Sequence, residues 1–126
     1  GLTVQTNANS GYTLAVADSA TGLQSSGTGN PVIPKVSTGK ATSVTWPGAP
    51  AWGYTVTGTG ATIDSAFSGT KYAGYTSGGE TIATRSGTTG GSADTISIAN
   101  RVAINYTSAS GVYSDTVTYT VTPNYN

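Results

Sequence analysis

The C-terminal third constrains this chain most. Arg101-Val102-Ala103-Ile104-Asn105-Tyr106 is followed, after a small polar turn, by Gly111-Val112-Tyr113-Ser114-Asp115-Thr116-Val117-Thr118-Tyr119-Thr120-Val121-Thr122-Pro123. Apolar residues recur at every second position, a period that belongs to strands and not to helices. Val102, Ile104 and Tyr106 fall on one face, as do Val117, Tyr119 and Val121, with Thr116, Thr118, Thr120 and Thr122 opposite. The pattern predicts a half-buried antiparallel hairpin whose outer face is threonine rather than charge.

The same alternation recurs upstream. Leu2 and Val4 predict a short first strand, and Tyr12, Leu14 and Val16 a second after the turn at residues 7–11. Residues 18–31 read as a long loop. Pro31 and Pro34 bracket Val32-Ile33, which is an edge strand at best. Thr42-Ser43-Val44-Thr45-Trp46 reads as a strand, and Trp52, Tyr54 and Val56 mark the clearest aromatic strand. Residues 61–63, 71–75, 80–85 and 94–98 complete the set, with Ile96 and Ile98 inward and Ser77-Gly78-Gly79 joining two of them. No segment shows helical periodicity. The fold expected is all-β: a single antiparallel β-sandwich, jelly-roll or Ig-like, of about 8–10 short strands in one domain spanning residues 1–126.

Composition narrows the function. Charged residues are 8% of the chain, with five basic and five acidic side chains cancelling, against about 25% in ordinary domains. No basic patch is available for nucleic acid. No stretch approaches the roughly 20 apolar residues of a membrane span. Thr and Ser make up about a third of the residues. Cys, His and Met are absent, which removes disulfides, Ser-His-Asp and Cys-His catalysis and the usual zinc ligands. That absence suits an exposed surface protein. A start at Gly1 is expected from signal-peptide removal or from excision out of a larger chain.

Few residues suggest chemistry. Ser37-Thr38-Gly39-Lys40 has S-x-x-K spacing but sits in a Gly-Lys loop. Asp18-Ser19-Ala20 and Asp64-Ser65-Ala66 read as acids that open turns. The acids are scattered, so neither a carboxylate couple nor a calcium loop is indicated. An intramolecular Lys–Asn isopeptide bond would draw on Lys71, Asn100 or Asn105, and Glu80. Trp46 and Trp52 are candidates for stacking on glycans. Asn105-Tyr106-Thr107 is the N-glycosylation sequon. No enzyme activity, cofactor or metal is expected.

Val4-Gln5-Thr6-Asn7-Ala8 with Gly11-Tyr12-Thr13-Leu14, then Trp52-Gly53-Tyr54, then the run from Gly111 to Pro123, occur in that order. This ordered set resembles a β-sandwich domain of secreted bacterial cell-surface proteins, across nearly the whole chain. The resemblance implies an extracellular, cell-surface location and no catalytic residues. A lone, neutral, Thr-rich sandwich with alternating strands at both ends is also similar to subunits of donor-strand filaments. The leading expectation is therefore a structural subunit of a surface filament or pilus, a head-to-tail homopolymer built by β-strand complementation. Residues 1–7 would be the exchanged segment, with Leu2, Val4 and Thr6 as donor residues. The hairpin residues Val102, Ile104, Tyr106, Val117, Tyr119 and Val121 would form core and acceptor. The alternative is a monomeric adhesin or carbohydrate-binding module that contacts surface glycans through Trp46 or Trp52.

Overall fold

The computed structural model describes residues 1–19, 22–25, 32–104 and 112–125. Among the described residues there are ten strands: β1 (Leu2–Val4), β2 (Tyr12–Asp18), β3 (Gly22–Ser25), β4 (Val32–Pro34), β5 (Ala51–Thr59), β6 (Thr62–Ile63), β7 (Glu80–Arg85), β8 (Asp94–Ala103), β9 (Tyr113–Ser114) and β10 (Val117–Pro123). Two single 3-10 turns, Lys40–Thr42 and Ser65–Phe67, are the helical elements among the described residues. The strands pair antiparallel in three sheets, ordered β1-β8-β5, β10-β2-β7-β6 and β4-β3-β9, in an all-β, sandwich-like architecture.

The alternating strands behave as their sequences dictate. In β2, Tyr12, Leu14, Val16 and Asp18 are buried while Thr13, Ala15 and Ala17 are half-exposed. β2 is central in its sheet, between β10 and β7. Its inward side chains pack with Ile82 and Ala83 of β7, Ile96 of β8, Val4 of β1 and Trp52, Tyr54 and Val56 of β5 in one hydrophobic cluster.

β5 is buried on both faces from Ala51 to Val56. One face carries the aromatic side chains. The other carries small residues and is covered by flanking chain: Val36 N–H donates to Trp52 O at 2.9 Å, and Tyr54 and Ala73 exchange hydrogen bonds at 2.9 Å each. Gly53 is what permits this cover, because a Cβ there would stand 2.6 Å from Val36 Cγ2. An aromatic column fills the centre. Tyr54 stacks on Tyr75 with centroids 4.0 Å apart, flanked by Phe67 at 5.2 Å from Tyr54 and Trp52 at 5.3 Å from Tyr75. Such contacts add about 0.5–1.5 kcal/mol each beyond burial.

Several expectations need correction. The C-terminal hairpin does not form. Val102 lies in β8, opposite Trp52 of β5, whereas Val117, Tyr119 and Val121 lie in β10, opposite Asp18, Val16 and Leu14 of β2. Period two assigns faces but not neighbours, so two alternating runs close in sequence paired with different partners. Nor are these residues all core: Val102, Ile104, Tyr119 and Val121 are exposed, and Val117 is half-buried against the cluster. β8 outruns the layer that covers it, and β10 is an outer strand. Tyr106 lies outside the described residues.

The loop expected at 18–31 contains β3, and β2 runs on to Asp18. Residues 42–46 and 71–75 form no strands, only isolated bridges at Val44–Tyr72 and Tyr54–Ala73. Pro47 and Pro50, which lack a donor, limit the first of these segments.

Candidate functional site

An edge strand exposes its unpaired backbone groups as a template for another strand. Among the described residues β10, with seven residues paired to β2, is the longest outer strand with no segment bridged to its free edge; β5, at nine residues, is the longer outer strand but is partly covered. Tyr119 and Val121, opposite the inward Val16 and Leu14, lie on the core-side face of β10 yet remain 41% and 45% exposed. The other outer strands differ. β1, β4, β6 and β9 have three, three, two and two residues, and β5 is partly covered by residues 35–36 and 73.

Beside the C-terminal end of β10 lies an open groove of about 570 Å³, lined by Thr6, Asn7, Thr89, Val121, Pro123 and Tyr125 among others. Its floor is Tyr12, whose hydroxyl donates to buried Asp94 at 2.8 Å. Burial and that acid push the Tyr12 hydroxyl well above the ordinary tyrosine range. Arg85 neutralises Asp94 at 2.5 Å. The groove thus has a neutral, hydrogen-bonded floor and a mixed apolar and polar rim.

The predicted donor segment is engaged within its own chain. Leu2, Thr3 and Val4 pair with Ile96, Thr95 and Asp94. Beyond β1, Thr6 N–H donates to Thr89 Oγ1 at 3.0 Å, and Thr89 N–H to Thr6 O at 3.0 Å. Val4 is a core residue and Leu2 packs against the cluster. A charge at Val4 would therefore disturb folding as well as any exchange.

The two indoles separate. Trp52 is 3% exposed and cannot meet a glycan. Trp46 is half-buried, edge-on to Tyr72 at 5.1 Å, with the Arg101 guanidinium 4.4 Å from its ring centre. Asn105 lies outside the described residues. Of the residues weighed for an isopeptide bond, the described ones, Lys71, Asn100 and Glu80, make no hydrogen bond or ion pair with one another. Lys71 is exposed, Asn100 accepts from the Tyr75 hydroxyl at 2.6 Å, and Glu80 accepts from Lys40 N–H at 2.9 Å.

Two lysine–aspartate clusters are assembled instead. Lys40 Nζ meets Asp64 Oδ2 and Thr81 O, each at 2.6 Å, at the surface. Asp64 also accepts from Ala66 N–H at 2.9 Å, opening the second 3-10 turn as its sequence suggests. The hydrogen bond from Lys40 holds the Asp64 carboxyl below its ordinary range.

The second cluster is internal. Lys35 Nζ lies 2.7 Å from Asp18 Oδ2, and the Asp18 side chain has no exposed surface. The aligned hydrogen bond of Lys35 goes elsewhere, to Tyr75 O at 2.7 Å. With both acids ionised, neither Asp18 oxygen nor Asp115 Oδ2 has a hydrogen-bond partner. Burial, then a hydrogen bond with Asp18 and the charge of Asp18, push the Asp115 carboxyl up to about 6. A proton on Asp115, donated to Asp18, would satisfy this arrangement. The signal for Asp18 was available in the sequence: Tyr12, Leu14 and Val16 continue in phase to Asp18, placing an acid at an inward position.

The chain matches no known family, no curated protein and no solved structure.

Proposed function

We propose that this protein is a structural subunit of an extracellular surface filament, joined to its neighbour by strand addition at the open edge of β10. The observation that carries the reading is that edge: seven residues long, apolar at Tyr119 and Val121, and continuous with a groove at its end. Main-chain hydrogen bonds along β10 would supply affinity, and alternate side chains of the incoming strand would fill the groove. A neutral, low-charge surface supports close packing of copies. The Thr-rich, Cys-free composition fits an exposed, durable assembly.

The test is assembly itself. Light scattering and negative-stain microscopy of the full chain should show concentration-dependent fibres. Val121→Lys places a charge on the edge at a side chain that is 45% exposed and outside the buried core cluster. It should leave a folded monomer. A wild-type chain that stays monomeric at all concentrations, or Val121→Lys fibres indistinguishable from wild type, would overturn the reading. The glycan-binding alternative now rests on Trp46 alone, and a sugar would have to displace Arg101 from its ring.

A further inference from the structure

A lysine amine held against a buried carboxyl group, with a second carboxyl able to carry protons, contains the parts needed to make an amide. The cluster of Lys35, Asp18 and Asp115 has this composition. Lys35 Nζ is 2.7 Å from Asp18 Oδ2, yet this contact is not an aligned hydrogen bond. The lysine stem is fixed from behind: Gly74 leaves it room, since a Cβ there would lie 2.8 Å from Lys35 Cβ, and Tyr75 O anchors its nitrogen. Asp18 is held on β2, its N–H donating to Thr76 O at 3.1 Å. Asp115, two residues before the Val117 that pairs with Asp18, delivers its carboxyl to the same place.

We propose that Lys35 and Asp18 condense into an intramolecular isopeptide bond, with Asp115 as the proton carrier. The Lys35 ammonium passes one proton to the Asp18 carboxylate, and the resulting amine adds to Cγ of that carboxyl. A Nζ–Cγ bond forms and one Cγ–O bond breaks. Asp115 takes a proton from the nitrogen and gives one to the departing hydroxyl, which leaves as water. In sum an ammonium and a carboxylate become an amide and water, with no oxidant or metal. Proximity does most of the work, because the two groups are pre-positioned by strands that are already folded. Burial of Asp18 excludes the water that would favour the reverse reaction. The bond would tie the end of β2 to the chain just after β4, bracing a protein that has no cysteine. This inference stands independently of whether the chain polymerises.

Intact-mass spectrometry of the purified full chain is the test. The folded protein should weigh about 18 Da less than its sequence mass, one water. Trypsin should fail to cut after Lys35 and should release residues 1–40 as one peptide carrying that loss. Lys35→Arg keeps a cation against Asp18 but cannot condense in this way, and it should return to full mass while remaining folded by circular dichroism. Asp115→Asn keeps the shape and removes the proton carrier, and should also stay at full mass. A folded wild-type chain at its full sequence mass would overturn the proposal. So would a loss that persists in Lys35→Arg, which would indicate a cyclic imide at an aspartate instead. Full condensation in Asp115→Asn would overturn the role given to Asp115.

Discussion

Lys35 and Lys40 stand close in sequence, and each faces an aspartate at under 3 Å, yet the two pairs are chemical opposites. Lys40 and Asp64 are each about a quarter exposed, and every contact they make is an aligned hydrogen bond to a partner that suits an ion. Lys35 faces an acid with no exposed surface, off axis, with a second acid behind it. The first is a surface ion pair with a 3-10 turn to cap. The second is a buried cluster that ionic bonding alone leaves unsatisfied. Solvent access and the identity of the third group decide the difference, not the Lys–Asp pairing itself.

The largest contrast should come from removing each lysine. Lys35→Ala leaves the buried Asp18 and its neighbour Asp115 without their cation, a change that typically costs about 3–5 kcal/mol. Lys40→Ala breaks a partly exposed pair and should cost about 1 kcal/mol or less. Urea midpoints of the two variants measure both, and equal losses would erase the distinction.

Packing behind the reactive lysine gives the next effect. Gly74→Ala forces a methyl against Lys35 Cβ and the backbone nearby, and overpacking of this kind costs about 1–3 kcal/mol. It should also displace the lysine, so intact mass should show a mixture of condensed and full-mass protein. A single condensed species would mean that the stem position is not critical.

The two clusters should respond to pH with opposite signs. Asp64 titrates lower in the folded chain than its ordinary 3.8. Its stabilisation is therefore complete above that value and is lost as pH falls below it. Asp115 titrates higher, at about 6. The folded state holds that proton more tightly, so this contribution is complete below about 3.8 and is lost as pH rises through about 6. Lys35→Arg keeps both carboxyls uncondensed and is the background in which to see it. Its urea midpoint should decline from pH 4 to pH 7 relative to the Lys35→Arg, Asp115→Asn double variant, and parallel curves would contradict a raised Asp115 carboxyl.

Salt should give the smallest effect. At 1 M ionic strength, where the Debye length is about 3 Å, the Lys40–Asp64 contribution should shrink, while the screened-off Lys35–Asp18 cluster should change little. Melting wild type and Lys40→Ala at low and high salt reads this difference directly.

How far the sequence reveals these features depends on the residue. Asp64 before Ser65-Ala66 is a local signal, and it caps a turn as expected. Lys35, Asp18 and Asp115 share no spacing, because the register of β2 with β10 and the cover of β5 bring them together. The inward phase of Asp18 was legible as the continuation of Tyr12, Leu14 and Val16, while its partners were not. The same limit explains the missing hairpin. Val102 and Val121 alternate alike in sequence, but one pairs with Trp52 and the other with Leu14.

By itself, the sequence determined that this chain is all-β, that Tyr12, Leu14, Val16, Tyr54 and Val56 face inward, and that cysteine and histidine chemistry is closed to it. Those properties are local: period two, side-chain type and turn residues act over a few positions. Tertiary structure alone decided which strand is an open edge, that Trp52 is sealed from solvent, and that one lysine meets a buried pair of acids. Those depend on strand order and register, which are set by the summed packing of distant segments and leave no short pattern in the chain.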